Sequence, residues 1–134
     1  ARGPAMQHDI AVPVAQMPAF LELAVREVEA AWPGTRAFGF GHLGDGNIHF
    51  HVQAPPGVVA AEWEAGEGRA VSHLVHDLVT AWHGTISAEH GIGQLKRGEL
   101  ARLADPVALD LLRRVKTALD PQELFNPGKL LESP

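Results

Sequence analysis

The residues with the clearest chemical potential lie in the stretch GHLGDGNIHFHV, residues 41–52. This stretch contains His42, His49 and His51, and imidazole nitrogens are common ligands of zinc and other divalent metals. Asp45–Gly46 lies between the first two histidines and is a strong signal for a two-residue β-hairpin turn, because a type I′ turn needs positive φ at both central positions. The stretch therefore predicts a hairpin that carries candidate metal ligands.

The predicted turn defines the register of the hairpin. With Asp45–Gly46 at the turn, His42 lies opposite His49, and their Cβ atoms are about 4.5–5.5 Å apart. Both imidazoles can then reach one metal ion at roughly 2.0–2.1 Å. His51 and Asn47 are predicted on the same face, because side chains alternate along a strand. The alternative is a solvated cross-strand pair of histidines that binds no metal.

A third candidate ligand lies far along the chain, in the segment SAEHG at residues 87–91. Glu89 with two histidines would leave coordination positions open for water or substrate, as in catalytic zinc sites. His90 follows directly and is a candidate general base, since histidine exchanges protons near neutral pH. The alternative for Glu89 is a surface carboxylate, because the sequence alone does not show that it reaches the hairpin.

The elements that position these residues follow from hydrophobic periodicity. Strands are predicted in DIAVPV (9–14), RAFGFGHLG, NIHFHVQA and TISAEHG (85–91). Helices are predicted from Pro18 to Trp32, over about 71–82, and from Pro106 with Asp105 as its N-cap. This order is that of a ferredoxin-like split βαβ domain. The predicted fold class is α+β, with an antiparallel sheet, helices on one face and an extra C-terminal helix.

The other histidines are weaker candidates as ligands. His73 and His76 lie off the apolar stripe of the second helix, which predicts that both are solvated. His83 lies at the end of that helix, where Gly84 is the predicted C-terminal cap. His8 precedes the first predicted strand and has no assigned role. None of the four is predicted to bind a metal.

Composition narrows the classes of function. The chain has 134 residues, which suits a single domain over residues 1–134. Its net charge of −5, with 11 Lys and Arg in total, argues against a nucleic-acid partner. The absence of cysteine excludes disulfides and thiolate ligands. No apolar run approaches the roughly 20 residues of a membrane-spanning helix, so a cytoplasmic protein is expected, with peripheral membrane association left open.

Three segments resemble a known family. GHLGDGNIHFHV, GTISAEHGIGQLKR and LDPQELFNPGKLL are similar, in order and spacing, to the C-terminal half of FAD-linked oxidases of the vanillyl-alcohol-oxidase type. The branch that they resemble most contains the D-2-hydroxy-acid dehydrogenases, which include D-lactate dehydrogenase, D-2-hydroxyglutarate dehydrogenase and the FAD subunit of glycolate oxidase. The resemblance covers nearly the whole chain, from about His8 to Leu131.

The resemblance implies a role for each candidate site residue. The family's metal ligands fall on His42, His49 and Glu89, and its base falls on His90. A divalent metal ion, zinc or a similar ion, would bind the hydroxyl and carboxylate of a D-2-hydroxy acid. His90 would take the hydroxyl proton while hydride passes to the flavin. His51 and Asn47 are then candidate substrate contacts.

The resemblance also implies partners for the chain. FAD would be bound mainly by an N-terminal FAD-binding domain of the same protein, so the chain alone is expected to be inactive. Asn126 and Lys129, in the NPGK segment, are candidate cofactor contacts, and a turn followed by a solvated lysine is the alternative. The sequence is compatible with a homodimer.

Two positions depart from the family pattern. Gln7 stands where many relatives have lysine, and His51 stands where relatives that act on hydroxyglutarate have asparagine. The identity of the hydroxy acid is therefore open. Two other classes of function also stay open: a stand-alone oxygenase or hydrolase that uses two histidines and one carboxylate, and a non-catalytic binding module of the same fold.

Overall fold

The computed structural model of the chain describes residues 3–131. Its backbone forms two compact units, Ala1–His90 and Gly91–Pro134. The sheet and every candidate metal ligand belong to the first unit, and the NPGK segment belongs to the second. That residues 1–134 act as one domain, with the FAD-binding domain elsewhere in the protein, stays a prediction.

The first unit contains a three-stranded antiparallel sheet in the order β1-β3-β2. Its strands are β1 (Ala5–Ala11), β2 (Arg36–His42) and β3 (Asn47–Gln53). Its helices are α1 (Met17–Ala31), α2 (Ala60–Ala65) and α3 (Glu67–Ala81), and a short 3-10 turn, Val14–Gln16, precedes α1. The predicted α+β class is confirmed.

The core of this unit lies between one face of the sheet and the helices, with α1 against β2 and α3 against β1. On the central strand, Ile48, Phe50 and Val52 are at most 1% exposed and point into the core. The alternating residues His49 and His51 are half-buried on the other face. Core packing of β3 therefore places both imidazoles on the sheet face opposite α1 and α3.

The strand predicted over residues 85–91 is wrong. In this segment Thr85 forms an isolated antiparallel bridge to Ala11 of β1. The two residues exchange both backbone hydrogen bonds, at 3.1 and 2.8 Å. Beyond Thr85 the ladder does not continue, because the backbone N–H groups of Glu89 and His90 donate to a side chain of β1 rather than to strand carbonyls.

The turn after α3 returns the chain to β1, and its left-handed residue is not the glycine that the sequence predicted. His83, not a glycine, takes the left-handed conformation after α3, with φ 57°, and its N–H donates to the Thr80 carbonyl. The N–H of Gly84 donates to the Val79 carbonyl, which completes a Schellman motif. Gly84 has a separate requirement, since a Cβ there would lie 2.3 Å from the Ala11 carbonyl oxygen.

A buried polar link joins β1 to α3. His8 is 4% exposed, with Nδ1 3.1 Å from the Phe50 carbonyl oxygen and Nε2 2.9 Å from Ser72 Oγ. His76 is also 4% exposed, and its ring packs edge-on against that of His8 at 5.6 Å. The prediction that His76 is solvated is therefore wrong. It lies one helical turn from Ser72, so it shares the face that packs on β1.

The second unit contains α4 (Arg97–Leu103) and α5 (Pro106–Leu119). The predicted start of α5 is confirmed, because Asp105 Oδ1 accepts from the N–H groups of Val107 and Ala108 at 2.8 and 3.2 Å. Along α5, Leu109 is 7% exposed, whereas Val115 is 55% exposed.

Candidate metal centre

The hairpin register differs from the predicted one by two residues. His42 pairs with Asn47, and His49 pairs with Phe40, so the connecting loop has four residues, 43–46, instead of two. The Asp45 carboxylate accepts from the N–H of Asn47 at 3.0 Å, which closes this wider turn. His42 and His49 are thus diagonal neighbours, with ring centroids 5.9 Å apart. Because side chains repeat every two residues, the two-residue shift leaves both on the same face.

Glu89 reaches the hairpin. Its Oε1 lies 3.3 Å from His42 Nδ1, and its Oε2 lies 3.7 Å from His49 Nε2. One ligand atom from each of the three residues can be chosen so that all lie within 4.8 Å of one another. The structure therefore brings together the three residues that the sequence predicted as candidate ligands.

The spacing and exposure of this His42–His49–Glu89 cluster fit a divalent cation. Ligand atoms around a tetrahedral ion with bonds of 2.0–2.2 Å lie about 3.3–3.6 Å apart. The two nitrogen–oxygen separations, 3.3 Å from His42 and 3.7 Å from His49, are near this range. The side chains of His42 and Glu89 are 57% and 44% exposed, so small molecules can approach from solvent. Two imidazoles and one carboxylate suit zinc and several other divalent metals.

His90, the candidate base, lies beside the cluster on the same loop as Glu89. Its side chain is 74% exposed, and its Nδ1 lies 3.8 Å from Asp9 Oδ2. Its carbonyl oxygen accepts a hydrogen bond from Ser87 Oγ, which tightens the turn over residues 87–90. The ring is thus open to solvent on one side and close to a carboxylate on the other.

Asp9 is the site residue that sequence reasoning missed. It is 5% exposed and accepts hydrogen bonds from Asn47 Nδ2 at 2.9 Å and from the backbone N–H groups of Glu89 and His90 at 2.9 and 2.7 Å. Burial raises the pKa of Asp9, but these hydrogen bonds and the nearby His90 together bring its pKa below the ordinary value. Asp9 is a buried carboxylate held in its charged form.

A signal for Asp9 was present in the sequence. It lies in β1 between two buried residues, His8 and Ile10, and the register places it opposite His49. An acidic residue inside a strand is uncommon and needs partners when buried.

The two candidate substrate contacts have different environments. Asn47 is 2% exposed, its Nδ2 donates to Asp9, and its Oδ1 has no protein partner within residues 3–131. His51 is half-buried between two phenylalanine rings, at 5.3 Å from Phe38 and 5.2 Å from Phe40. Burial lowers the pKa of His51, and the neighbouring His49 lowers it further, so its ring is neutral at pH 7.

The two candidate cofactor contacts lie in the second unit. Asn126 has a left-handed backbone, with φ 49°, and its carbonyl accepts from the N–H of Lys129 at 3.2 Å. Both side chains are exposed. The segment is thus a tight turn that presents an amide and a cation to its surroundings, and contact with a flavin stays a prediction.

Fold and site together define an α+β domain in which two histidines of the sheet and one glutamate of a loop lie close together. The family model described as FAD linked oxidases, C-terminal domain, matches residues 1–130, and the chain belongs to this family. The resemblance seen in the sequence is thereby confirmed.

Curated relatives agree with this assignment. The D-2-hydroxyglutarate dehydrogenases of Stutzerimonas stutzeri (strain A1501) and Xanthomonas citri pv. viticola are 36% and 37% identical, and they match 92% and 95% of this chain. The mitochondrial D-lactate dehydrogenase [cytochrome] of Arabidopsis thaliana is 29% identical over 95% of the chain. The matched regions are 26%, 27% and 22% of those proteins. The chain therefore spans about a quarter of the length of these relatives.

Within residues 3–131, no helix is both long enough and apolar enough to cross a bilayer.

Proposed function

We propose that this chain is the substrate- and metal-binding portion of an FAD-dependent oxidoreductase that converts a D-2-hydroxy acid to the 2-oxo acid. The observation that carries the proposal is the His42–His49–Glu89 cluster, found in a chain of the FAD-linked oxidase family. The names of the relatives, D-2-hydroxyglutarate and D-lactate dehydrogenase, support this reaction class.

In this proposal His42, His49 and Glu89 hold one divalent metal ion, with zinc as the first choice. The ion supplies a Lewis acid that polarises the substrate hydroxyl and orients its carboxylate. The three side chains leave the solvent side of the cluster open, which is where the substrate enters. The protein's contribution is to hold the donor atoms at the spacing that a four-coordinate ion requires.

His90 takes the hydroxyl proton in the proposed reaction. It is next to Glu89 in the chain, and its exposed ring can meet a substrate bound at the cluster. FAD, bound mainly by another domain of the whole protein, supplies the hydride acceptor. Asn126 and Lys129 are proposed to contact it.

The substrate side of the site is proposed to include His51 and Asn47. His51 lies between Phe38 and Phe40, two positions along β3 from the ligand His49, and is neutral at pH 7. Neither it nor Gln7, its partner on β1, supplies a positive charge for a second carboxylate. The choice among D-2-hydroxy acids thus depends on the surface formed by His51, Phe38 and Phe40 and on residues outside the chain.

The proposal is tested with the full-length protein that contains this chain. We expect a flavin absorption spectrum that is bleached under anaerobic conditions by a D-2-hydroxy acid and not by its L-enantiomer. A colourless full-length protein would rule out the flavoenzyme and favour a stand-alone metal enzyme.

The metal site has its own test in the same protein. His42→Ala is expected to remove most of the bound divalent metal and to lower kcat/KM by 100-fold or more, about 2.7 kcal/mol. The exposed His83, outside the site, provides the matched control His83→Asn, because asparagine tolerates its left-handed backbone. Equal metal content in the His42→Ala and His83→Asn proteins would contradict the assigned ligands.

A further inference from the structure

The carboxylate of Asp9 is a buried charge that accepts three hydrogen bonds. It lies on β1, directly opposite His49 in the β1–β3 ladder, and is 5% exposed although it is on the sheet face opposite α1 and α3. A buried carboxylate is costly unless hydrogen bonds and nearby charges compensate it. The groups that compensate the charge of Asp9 therefore identify the parts of the chain that this carboxylate holds in place.

Both carboxylate oxygens of Asp9 are used, and they bind different parts of the chain. Oδ1 accepts from the side chain of Asn47, at the start of β3. Oδ2 accepts from the backbone N–H groups of Glu89 and His90, which lie 80 and 81 residues away in sequence. One side chain thus joins the strand that carries His49 to the loop that carries the candidate ligand and the candidate base.

The loop over residues 87–90 has little other support from the sheet. Its pairing with β1 consists of the Thr85–Ala11 bridge and one hydrogen bond from the Ala88 N–H to the Asp9 carbonyl at 3.3 Å. Glu89 and His90 are themselves exposed, so core packing does not orient them. The direction of these two side chains relative to the hairpin therefore depends on the hydrogen bonds that their backbone N–H groups donate to Asp9.

Asp9 also faces the inner nitrogen of His49. His49 Nε2 points toward Glu89, while its Nδ1 lies 4.0 Å from Asp9 Oδ1. At that distance the contact is electrostatic rather than a hydrogen bond. A carboxylate behind a ligating histidine favours the tautomer with its proton on the inner nitrogen, which leaves the outer nitrogen free to bind a cation.

We propose that Asp9 is a positioning residue for the metal centre, because its carboxylate holds the Glu89–His90 backbone and the His49 ring in the arrangement that binds the ion. This inference rests on the proposed metal site. Asp9 is not a ligand in it, since its oxygens are occupied by amide donors and it lies behind His49. Its function is to make the cluster ready for the ion before the ion binds.

The test measures metal affinity, with Zn²⁺ as the probe and a chromogenic chelator as competitor, in the metal-free full-length protein. Asp9→Asn keeps the shape of the side chain but removes its charge and one acceptor oxygen. We expect its Kd for Zn²⁺ to rise by about 10- to 100-fold. The expected rise is measured in the folded protein, well below its thermal transition, where a purely structural role for Asp9 would leave the Kd unchanged.

Asp45 provides a matched control. Its carboxylate lies 4.0 Å from His42 Nδ1, as far as Asp9 lies from His49, but its side chain is 65% exposed and its hydrogen bond is to the Asn47 N–H. Asp45→Asn keeps an oxygen that accepts from this N–H, so it is expected to change the Kd by about twofold at most, because exposed ion pairs contribute little. Comparable losses in the Asp9 and Asp45 variants would overturn the positioning role.

The two proposals fail in distinguishable ways. If the wild-type protein binds Zn²⁺ no better than His42→Ala, the metal site itself is wrong. If His42→Ala loses affinity while Asp9→Asn keeps it, only the role of Asp9 is wrong. Should Asp9→Asn not fold, hydrogen exchange of the wild type decides: slow exchange of the Glu89 and His90 amides supports the role, and exchange at the rate of unbonded amides overturns it.

Discussion

At the scale of single residues, the four histidines near the site differ in their positions on the sheet and on the adjoining loop. His42 and His49 face Glu89, whereas His51 lies one alternate position further along β3, between aromatic rings. His90 lies on the adjoining loop and close to Asp9. Chemically identical side chains are therefore assigned different proposed roles by their neighbours: two as ligands, one as base and one as substrate contact.

The proposed role of His51 is open to a direct test. His51→Ala removes a ring that contacts substrate and not metal, so we expect KM for the hydroxy acid to rise about tenfold, or about 1.4 kcal/mol, with kcat within about threefold. Steady-state kinetics and metal analysis of the full-length variant provide the measurement. Loss of metal from this variant would instead identify His51 as a ligand.

At the scale of elements, the end of α5 depends on one carboxylate. Asp120 is 5% exposed, accepts from the N–H groups of Leu124 and Phe125 at 2.8 and 2.9 Å, and pairs with Lys116 one turn earlier. The Lys116 ammonium lowers the pKa of Asp120; burial acts in the opposite direction, and the two backbone donors add to the lowering. This carboxylate therefore joins α5 to the segment that leads to the NPGK turn.

The lowered pKa of Asp120 predicts a loss of stability in acid. Because the folded-state pKa lies below the unfolded value of about 3.9, the stabilisation is complete above the unfolded value and disappears as pH falls through the folded one. Asp120→Asn should flatten the decline in unfolding free energy below about pH 5. Urea unfolding of the chain at a series of pH values measures it.

A control for the Asp120 prediction lies on the same helix. Asp110 pairs with Arg114 at 2.7 Å, but its side chain is 55% exposed. Asp110→Asn is expected to leave the pH dependence almost unchanged, since solvent screens exposed pairs. An identical acid profile for the wild type and Asp120→Asn would show that the buried pair does not contribute.

At the scale of the whole molecule, the chain contains the candidate metal centre but spans about a quarter of the length of its relatives. Phe40, on the sheet face opposite α1 and α3, is 56% exposed, and Leu119 of α5 is 77% exposed. Ligation by His42, His49 and Glu89 needs only this chain, whereas the proposed oxidation also needs a hydride acceptor. The chain by itself should therefore bind metal without catalysing the oxidation.

This separation is a prediction for residues 1–134 expressed alone. The chain is expected to bind one divalent metal ion per molecule and to show no oxidation of a D-2-hydroxy acid, while the full-length protein performs both. Metal analysis and a dye-reduction assay on the two proteins make the comparison. Turnover by the isolated chain without flavin would favour the stand-alone metal enzyme.

Short-range patterns in the sequence were sufficient for much of the fold. The alternation along NIHFHV predicted that Asn47, His49 and His51 share one face of β3, and Asp105–Pro106 predicted the start of α5. Even the wrong hairpin register kept His42 and His49 together, because a shift of two residues preserves the face. These features depend on neighbours within a few residues, which periodicity and turn chemistry can read.

Only the tertiary structure decided which distant residues join the hairpin at the site. Whether Glu89 reaches His42, and why Asp9 is buried, depends on the return of the chain to β1 at Gly84, where the backbones approach too closely for a Cβ. The burial of His76 against His8 depends likewise on how α3 packs on β1. Contacts between residues about 80 positions apart carry no local pattern, because packing rather than neighbouring sequence creates them.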